Sequence, residues 1–161
     1  LEYAFKAGFQ VQGCDINAEA IEKTKSRLPD IPLFKGDFQE ANGTNFQIVV
    51  AFDVVEHVID VKALFKSVFT RLEDNGLFFF VCPVYDGPLG LIVEYLDRDP
   101  THVHKKSRFW WLRLAKSTGF KIVEWRGIIR YLLPWKHYLH TEMRGVLKFL
   151  APAILVVCSK S

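Results

Sequence analysis

The sequence predicts an α/β fold with a mostly parallel sheet, and three observations carry that reading. Short apolar runs alternate with amphipathic stretches along the 161 residues, the order expected of strands joined by helices. One run, "NGLFFFVCP" ending at Pro83, is apolar nearly throughout, as a strand covered on both faces must be. Three acids, Asp15, Asp37 and Asp53, each follow a different strand-like run, and open sheets of this class bind ligands outside the carboxyl ends of their strands. The length suits one domain with a core of its own, so a single domain over residues 1–161 is expected.

The elements follow in order. Leu1 to Lys6, stopped by Gly8, reads as the end of a helix. "FQVQGCD" (Phe9 to Asp15) alternates and ends on an acid, which is a strand signal. In "NAEAIEKTKSRLP", Asn17 is placed to cap a helix, Ile21, Thr24 and Leu28 share a face, and Pro29 ends it. "IPLFKGD" and "FQIVVAF" are the next strands. "DVKALFKSVFTRL" follows as a helix with Leu64, Phe65, Val68 and Leu72 inward. "SRFWWLRLAKSTGF" has Ser107 as N-cap and Gly119 as its stop, and "KIVEWRGIIRY" and "AILVVCSK" are the last two strands. Between those two, Leu139, Met143, Val146, Leu147 and Leu150 fall on one helical face, and His140, Arg144 and Lys148 on the other. A basic amphipathic helix is therefore expected there, either packed on the core or laid against an anionic membrane or a lipid-like substrate.

Half the residues are hydrophobic and 24% are charged, which excludes a disordered chain. Cys14, Cys82 and Cys158 match no zinc spacing, and their odd number fits a reducing, cytoplasmic setting rather than a disulfide framework. No apolar run is long enough to cross a membrane, and no nucleic-acid-binding motif is present. Charge is unevenly spread: residues 1–97 carry 8 Lys+Arg against 15 Asp+Glu, and residues 98–161 carry 13 against 3. The basic part is expected to meet something anionic or to complement the acidic part.

"FDVVEHV" sets Asp53, Glu56 and His57 directly behind a buried strand. Imidazole ionises near neutrality, so His57, with Glu56 beside it, is a candidate general base for a substrate hydroxyl. Asp53, Glu56 and His57, spaced at i, i+3 and i+4, with His102 from "THVH", also make a mixed oxygen and nitrogen set for a divalent cation. The third reading is that Glu56 braces the following helix and His57 packs on the "DPTH" loop. His102 and His104 are candidate substrate residues.

Taken together, "GCDINAEAIEKTK", "FKGDF", "FDVVEHVID", "LEDNGLFFFVCP", "DPTHVHKKSRFWWLRLAKSTGFKIVEW" and "AILVVCSK" resemble a class I S-adenosylmethionine-dependent methyltransferase of the broad small-molecule type, close to the ubiquinone-biosynthesis branch. The resemblance implies a Rossmann-like, doubly wound seven-stranded sheet whose first strand and glycine-rich cofactor loop would lie upstream of Leu1. It implies that Asp15 holds the ribose hydroxyls of S-adenosylmethionine with Ile16 against the adenine, and that Asp37 and Phe38 meet the adenine amino group and ring. Ala51 and Phe52 would line the methionine portion. Residues 84–106 and 132–152 would cover a small or lipid-like acceptor methylated at oxygen, with peripheral membrane contact. "DVVEH" resembles the "ExxEH" metal pattern of small-RNA 3′-end methyltransferases, with Asp53 in place of the first Glu; Gln47 stands where the family carries Asp. A non-catalytic binding subunit and a nicotinamide-dependent oxidoreductase are the alternatives, the second lacking a Tyr-x-x-x-Lys pair.

Overall fold

In the computed structural model, which describes residues 1–133 and 137–160, the chain forms two compact units, Leu1–Gly43 and Thr44–Ser161. The first holds α1 (Glu2–Lys6), β1 (Gly13–Asp15), α2 (Ala18–Arg27) and β2 (Leu33–Lys35). β1 and β2 pair in parallel, with Gly13 opposite Leu33 and Asp15 opposite Lys35. Asn17 caps α2 as expected, its side chain accepting from the amides of Glu19 and Ala20 at 2.8 and 3.3 Å. The strand expected over Phe9–Asp15 is regular only from Gly13. At that point the backbone passes so close to Leu1 that a Cβ on Gly13 would lie 2.7 Å from the leucine side chain.

The second unit is a five-stranded sheet in the order β3-β4-β7-β5-β6, made of β3 (Phe46–Phe52), β4 (Leu72–Pro83), β5 (Lys121–Leu133), β6 (His137–Met143) and β7 (Ala153–Ser159). β3 and β4 are parallel. β7 runs reversed between β4 and β5, and β6 pairs antiparallel with the outer side of β5. The central position expected for "NGLFFFVCP" holds: Phe78, Phe80, Val81 and Cys82 of β4 are buried.

Helix α3 (Val61–Arg71) starts at Asp60, whose carboxylate accepts from the Ala63 amide at 2.9 Å. It buries Val61, Leu64, Phe65 and Val68, the i, i+3, i+4, i+7 stripe, and Phe65 meets Phe78 and Phe80 edge-on with ring centroids 5.2 Å apart. Helix α5 (Arg108–Ser117) is capped by Ser107 and buries Trp111, Leu114 and Ala115. Its stop is Gly119, at φ 104°, where a Cβ would sit 2.9 Å from the Phe69 ring. A short helix, α4 (Gly90–Leu96), lies within the stretch expected to cover the acceptor.

The amphipathic helix expected around Leu139–Leu150 is corrected. His137–Met143 is strand β6, in register with β5 from Gly127 opposite Met143 to Leu133 opposite His137, and Gly145–Leu150 is a separate 3₁₀ turn opened by Gly145 at φ 59°. The helical spacing of Leu139 and Met143 is real, but β5 offers a full row of backbone partners, and sheet pairing satisfies the same groups a helix would. Residues 134–136, part of the 132–152 cover expectation, lie outside the described residues. Among the described residues no helix is long and apolar enough to cross a membrane.

Candidate functional site

"FDVVEHV" carries the chain out of β3. Asp53 takes a left-handed φ of 53°, a conformation Asp tolerates better than most residues, while its amide donates to Val81 O at 2.9 Å. The turn is pinned to β4 at its first residue. The His57 amide then donates to Val54 O at 3.0 Å, so the stretch is a tight turn rather than a helix. Val55 and Glu56 are thereby turned inward, and Glu56 is only 1% exposed.

Glu56 is the most unusual group in the unit. Its Oε2 makes no hydrogen bond among the described residues. Burial, first of all, pushes its carboxyl above the usual range; a hydrogen bond to its own backbone opposes this, the Asp53 charge adds to it, and His57 and His102 pull the other way. His57 Nε2 lies 4.0 Å from Glu56 Oε1. Glu56, His57 and His102 each bring one ligand-type atom within 4.8 Å of the others, which joins three of the four proposed cation ligands; Asp53 is not in the group.

The "DRDPTH" loop (Asp97 to His102) supplies the other half of the site, and the sequence reading passed over most of it. His57 Nδ1 lies 3.1 Å from Thr101 O and 2.9 Å from Thr101 Oγ1, as the packing alternative for His57 expects. His102 Nδ1 lies 2.9 Å from Asp97 Oδ2 and 3.2 Å from the Tyr85 hydroxyl, which itself donates to Asp97. Lys105 Nζ stands 3.3 Å from the same carboxylate. Burial works against the Asp97 charge, yet hydrogen bonds from Tyr85, His102, the Asp99 amide and Lys105 outweigh it and hold the carboxyl well below its usual range. Burial, and then the bond to Asp97, push the Tyr85 phenol far up. The available signal was the turn chemistry of Asp-x-Asp-Pro-Thr, in which Asp99 accepts from the Thr101 amide at 2.8 Å.

His104 serves differently. Its Nε2–H donates to Val58 O at 2.9 Å and reaches Ile59 O at 3.3 Å, its ring stacks on Trp110, and its amide donates to Glu56 O at 3.2 Å. It braces the turn that carries Glu56. Arg108, 1% exposed and unremarked in the sequence, donates from each of its three nitrogens: Nε to Asp86 at 2.9 Å, Nη1 to Lys148 O at 2.8 Å and Nη2 to Asp86 O and Ala151 O at 3.2 and 3.4 Å. A groove of about 360 Å³ in this unit is lined by Ile122 to Arg126, Arg144, Gly145 and Lys148 and includes none of the cluster. Of the residues expected at the methionine portion, Phe52 is exposed and Ala51 half-buried.

In the first unit, Asp15 closes β1. One of its oxygens accepts from the Asn17 amide at 2.8 Å, and its backbone carbonyl accepts from Gly36 at 3.0 Å. The Asp15 side of the unit has a small cavity of about 80 Å³, lined also by Gly13, Cys14 and Ile21. Ile16, the next residue after Asp15, is 75% exposed. Asp37 follows β2 and accepts from the Gln39 amide at 3.0 Å; Phe38 is half-buried. An acid at the end of each parallel strand with an open apolar side chain next to the first fits a ribose diol and a flat base.

Solved structures with this architecture include SAM-dependent methyltransferases from three organisms. That of Thermotoga maritima is 13% identical with a TM-score of 0.72, the match covering 99% of this chain and 76% of that one. That of Methanosarcina mazei is 16% identical with a TM-score of 0.71, covering 99% and 85%. That of Archaeoglobus fulgidus is 15% identical with a TM-score of 0.72, covering 99% and 80%. At such identities the likeness is one of fold, and it is the Rossmann-like α/β fold the sequence predicts. A search of the curated proteins returns no match. A family model described as a methyltransferase domain matches residues 1–125, from the first helix into β5, and the chain belongs to that family.

Proposed function

We propose that the protein transfers a methyl group from S-adenosylmethionine to an oxygen of a small or lipid-like acceptor. The observation that carries the reading is the cluster of Glu56, His57 and His102, three acceptor groups within 4.8 Å of one another with a buried carboxylate oxygen that no described residue satisfies. Such a place takes a hydrogen-bond donor, and an acceptor hydroxyl is one.

S-adenosylmethionine supplies the methyl group as an electrophilic carbon on a sulfonium. Asp15 holds the ribose hydroxyls and Ile16 and Phe38 flank the base, the first by charge-assisted hydrogen bonds and the others by apolar contact. In the second unit the turn after β3 fixes Glu56, and the imidazoles beside it receive the proton that the acceptor oxygen gives up. The buried Glu56 carboxylate faces the imidazolium formed. Catalysis then comes mainly from alignment and from removal of that proton.

A divalent cation held by the same three donors is a second reading, favoured by the unsatisfied Glu56 oxygen, since a carboxylate with two imidazoles is a set such ions accept. One experiment covers both readings: transfer of an isotopically labelled methyl group from S-adenosylmethionine to simple phenols and to lipid-like quinols, with and without chelator. We expect transfer to oxygen, lowered about 10²- to 10⁴-fold in His57→Ala, and cofactor affinity lowered by about 2 to 4 kcal/mol in Asp15→Ala. Full activity in His57→Ala and Glu56→Gln with no chelator effect would leave the cluster a structural brace and remove both readings.

A further inference from the structure

We propose that the Asp97–His102 loop sets the tautomers of both cluster histidines, and that Asp97 is the positioning residue for His102, so that each ring presents an Nε2 lone pair beside Glu56. The inference rests on the methyl-transfer reading only for its use.

The argument follows where the protons go. His102 Nδ1 has two neighbours, Asp97 Oδ2 at 2.9 Å and the Tyr85 oxygen at 3.2 Å. Tyr85 has a single proton and gives it to Asp97. Both neighbours are therefore acceptors toward the ring, and Nδ1 must carry the hydrogen. His57 repeats the pattern with different parts. Its Nδ1 faces Thr101 O at 3.1 Å, which can only accept, and Thr101 Oγ1 at 2.9 Å, whose own proton goes to Asp99 Oδ1 at 2.6 Å. The other charged groups at this loop do not compete for Nδ1: Lys105 is directed at Asp97, and Asp99 Oδ2 lies 3.8 Å from His102 Nε2, beyond hydrogen-bond range.

A free histidine in water prefers the opposite, Nε2–H tautomer. One six-residue loop thus holds two rings, centroids 4.6 Å apart, in the form that leaves the lone pair on Nε2 of each, within the cluster that contains the buried Glu56. With either ring inverted, the cluster would offer a donor where an incoming hydroxyl needs an acceptor. In a Ser-His-Asp triad, exchanging the orienting Asp for Asn keeps the geometry, inverts the imidazole and lowers kcat about 10⁴-fold.

The test is a long-range proton–nitrogen correlation spectrum of the protein labelled with ¹⁵N-histidine, recorded where imidazoles are neutral, with the two rings assigned from His57→Gln and His102→Gln. We expect both to be Nδ1–H in the unmutated protein. In Asp97→Asn the Asp99 amide, 3.1 Å from Oδ1, keeps the amide oxygen on its side and leaves the NH₂ group where Oδ2 stood. His102 alone should then invert, while His57, held by a backbone carbonyl, stays as it was, and Asp97→Glu should restore the His102 signal. His102 found as Nε2–H in the unmutated protein would overturn the proposal, and that spectrum needs no variant to fold. An unmoved His102 tautomer in a folded Asp97→Asn would overturn it too. Because the spectrum reads nitrogen protonation and no methyl transfer, it can fail or succeed independently of the activity assay.

Discussion

Two buried thiols show how environment changes a residue's chemistry. Burial pushes the Cys158 thiol from an ordinary 9.0 up to about 12. Cys82 is fully enclosed and raised as well, by burial first and then by the charges of Glu56 and Asp53. Neither is a nucleophile at physiological pH, as thiolate is the reactive form; Cys14 is half-buried. The linkage has a definite sign. An unfolded chain releases the Cys158 proton near 9 and the folded one near 12, so the folded state keeps its full advantage below 9 and loses it progressively as pH rises toward 12. Denaturant titrations between pH 8 and 11 should show stability falling, with a shallower fall in Cys158→Val; an identical slope in that variant would assign the loss to other groups.

At the scale of elements, Gly119 is the position where substitution is expected to be costly. Its φ of 104° is one L side chains rarely adopt, and an added Cβ would press on the Phe69 ring at 2.9 Å. Gly119→Ala should cost about 1 to 3 kcal/mol in equilibrium unfolding, from backbone strain and overpacking together. That glycine, like Asn17 and Ser107, was legible in the sequence, because caps and stops depend on a few neighbouring residues. Elements whose partners lie far along the chain were not. β6 was read as a helix, since the spacing of Leu139 and Met143 is local and the β5 backbone that claims the segment is not. The site divides in the same way. Glu56 and His57 stand out after an apolar run. Asp97, Thr101 and Tyr85 reach the same spot only through the folded loop, and Arg108 looks like any basic residue at the start of a helix until Asp86 and the carbonyls of Lys148 and Ala151 close around it.

For the whole molecule, the sharp division of charge has a visible counterpart in the 3₁₀ turn between β6 and β7. Val146, 84% exposed, and Leu147 project from it beside Arg144 and Lys148, so losing the helix did not bury the apolar, basic character of the segment. Co-sedimentation with phosphatidylserine vesicles is expected at low salt, weaker at high salt and in Val146→Ser/Leu147→Ser, because apolar insertion and screened charge both contribute. Absence of binding at low salt would assign the turn to a soluble acceptor or to ordinary surface. The pairing of β7 has a different kind of consequence. Residues 153–159 lie between β4 and β5, so both strands keep an open edge until that stretch has left the ribosome. During synthesis the phenylalanines of β4 wait, with Phe65 and Phe120 as early company, for a neighbour about eighty positions away, Phe78 for Cys158 and Phe80 for Val156. A growing chain in that state is a template for edge-to-edge association. The late arrival of one reversed strand thus delays closure of this sheet, and holdase chaperones would have their greatest effect in the interval before residues 153–159 are made.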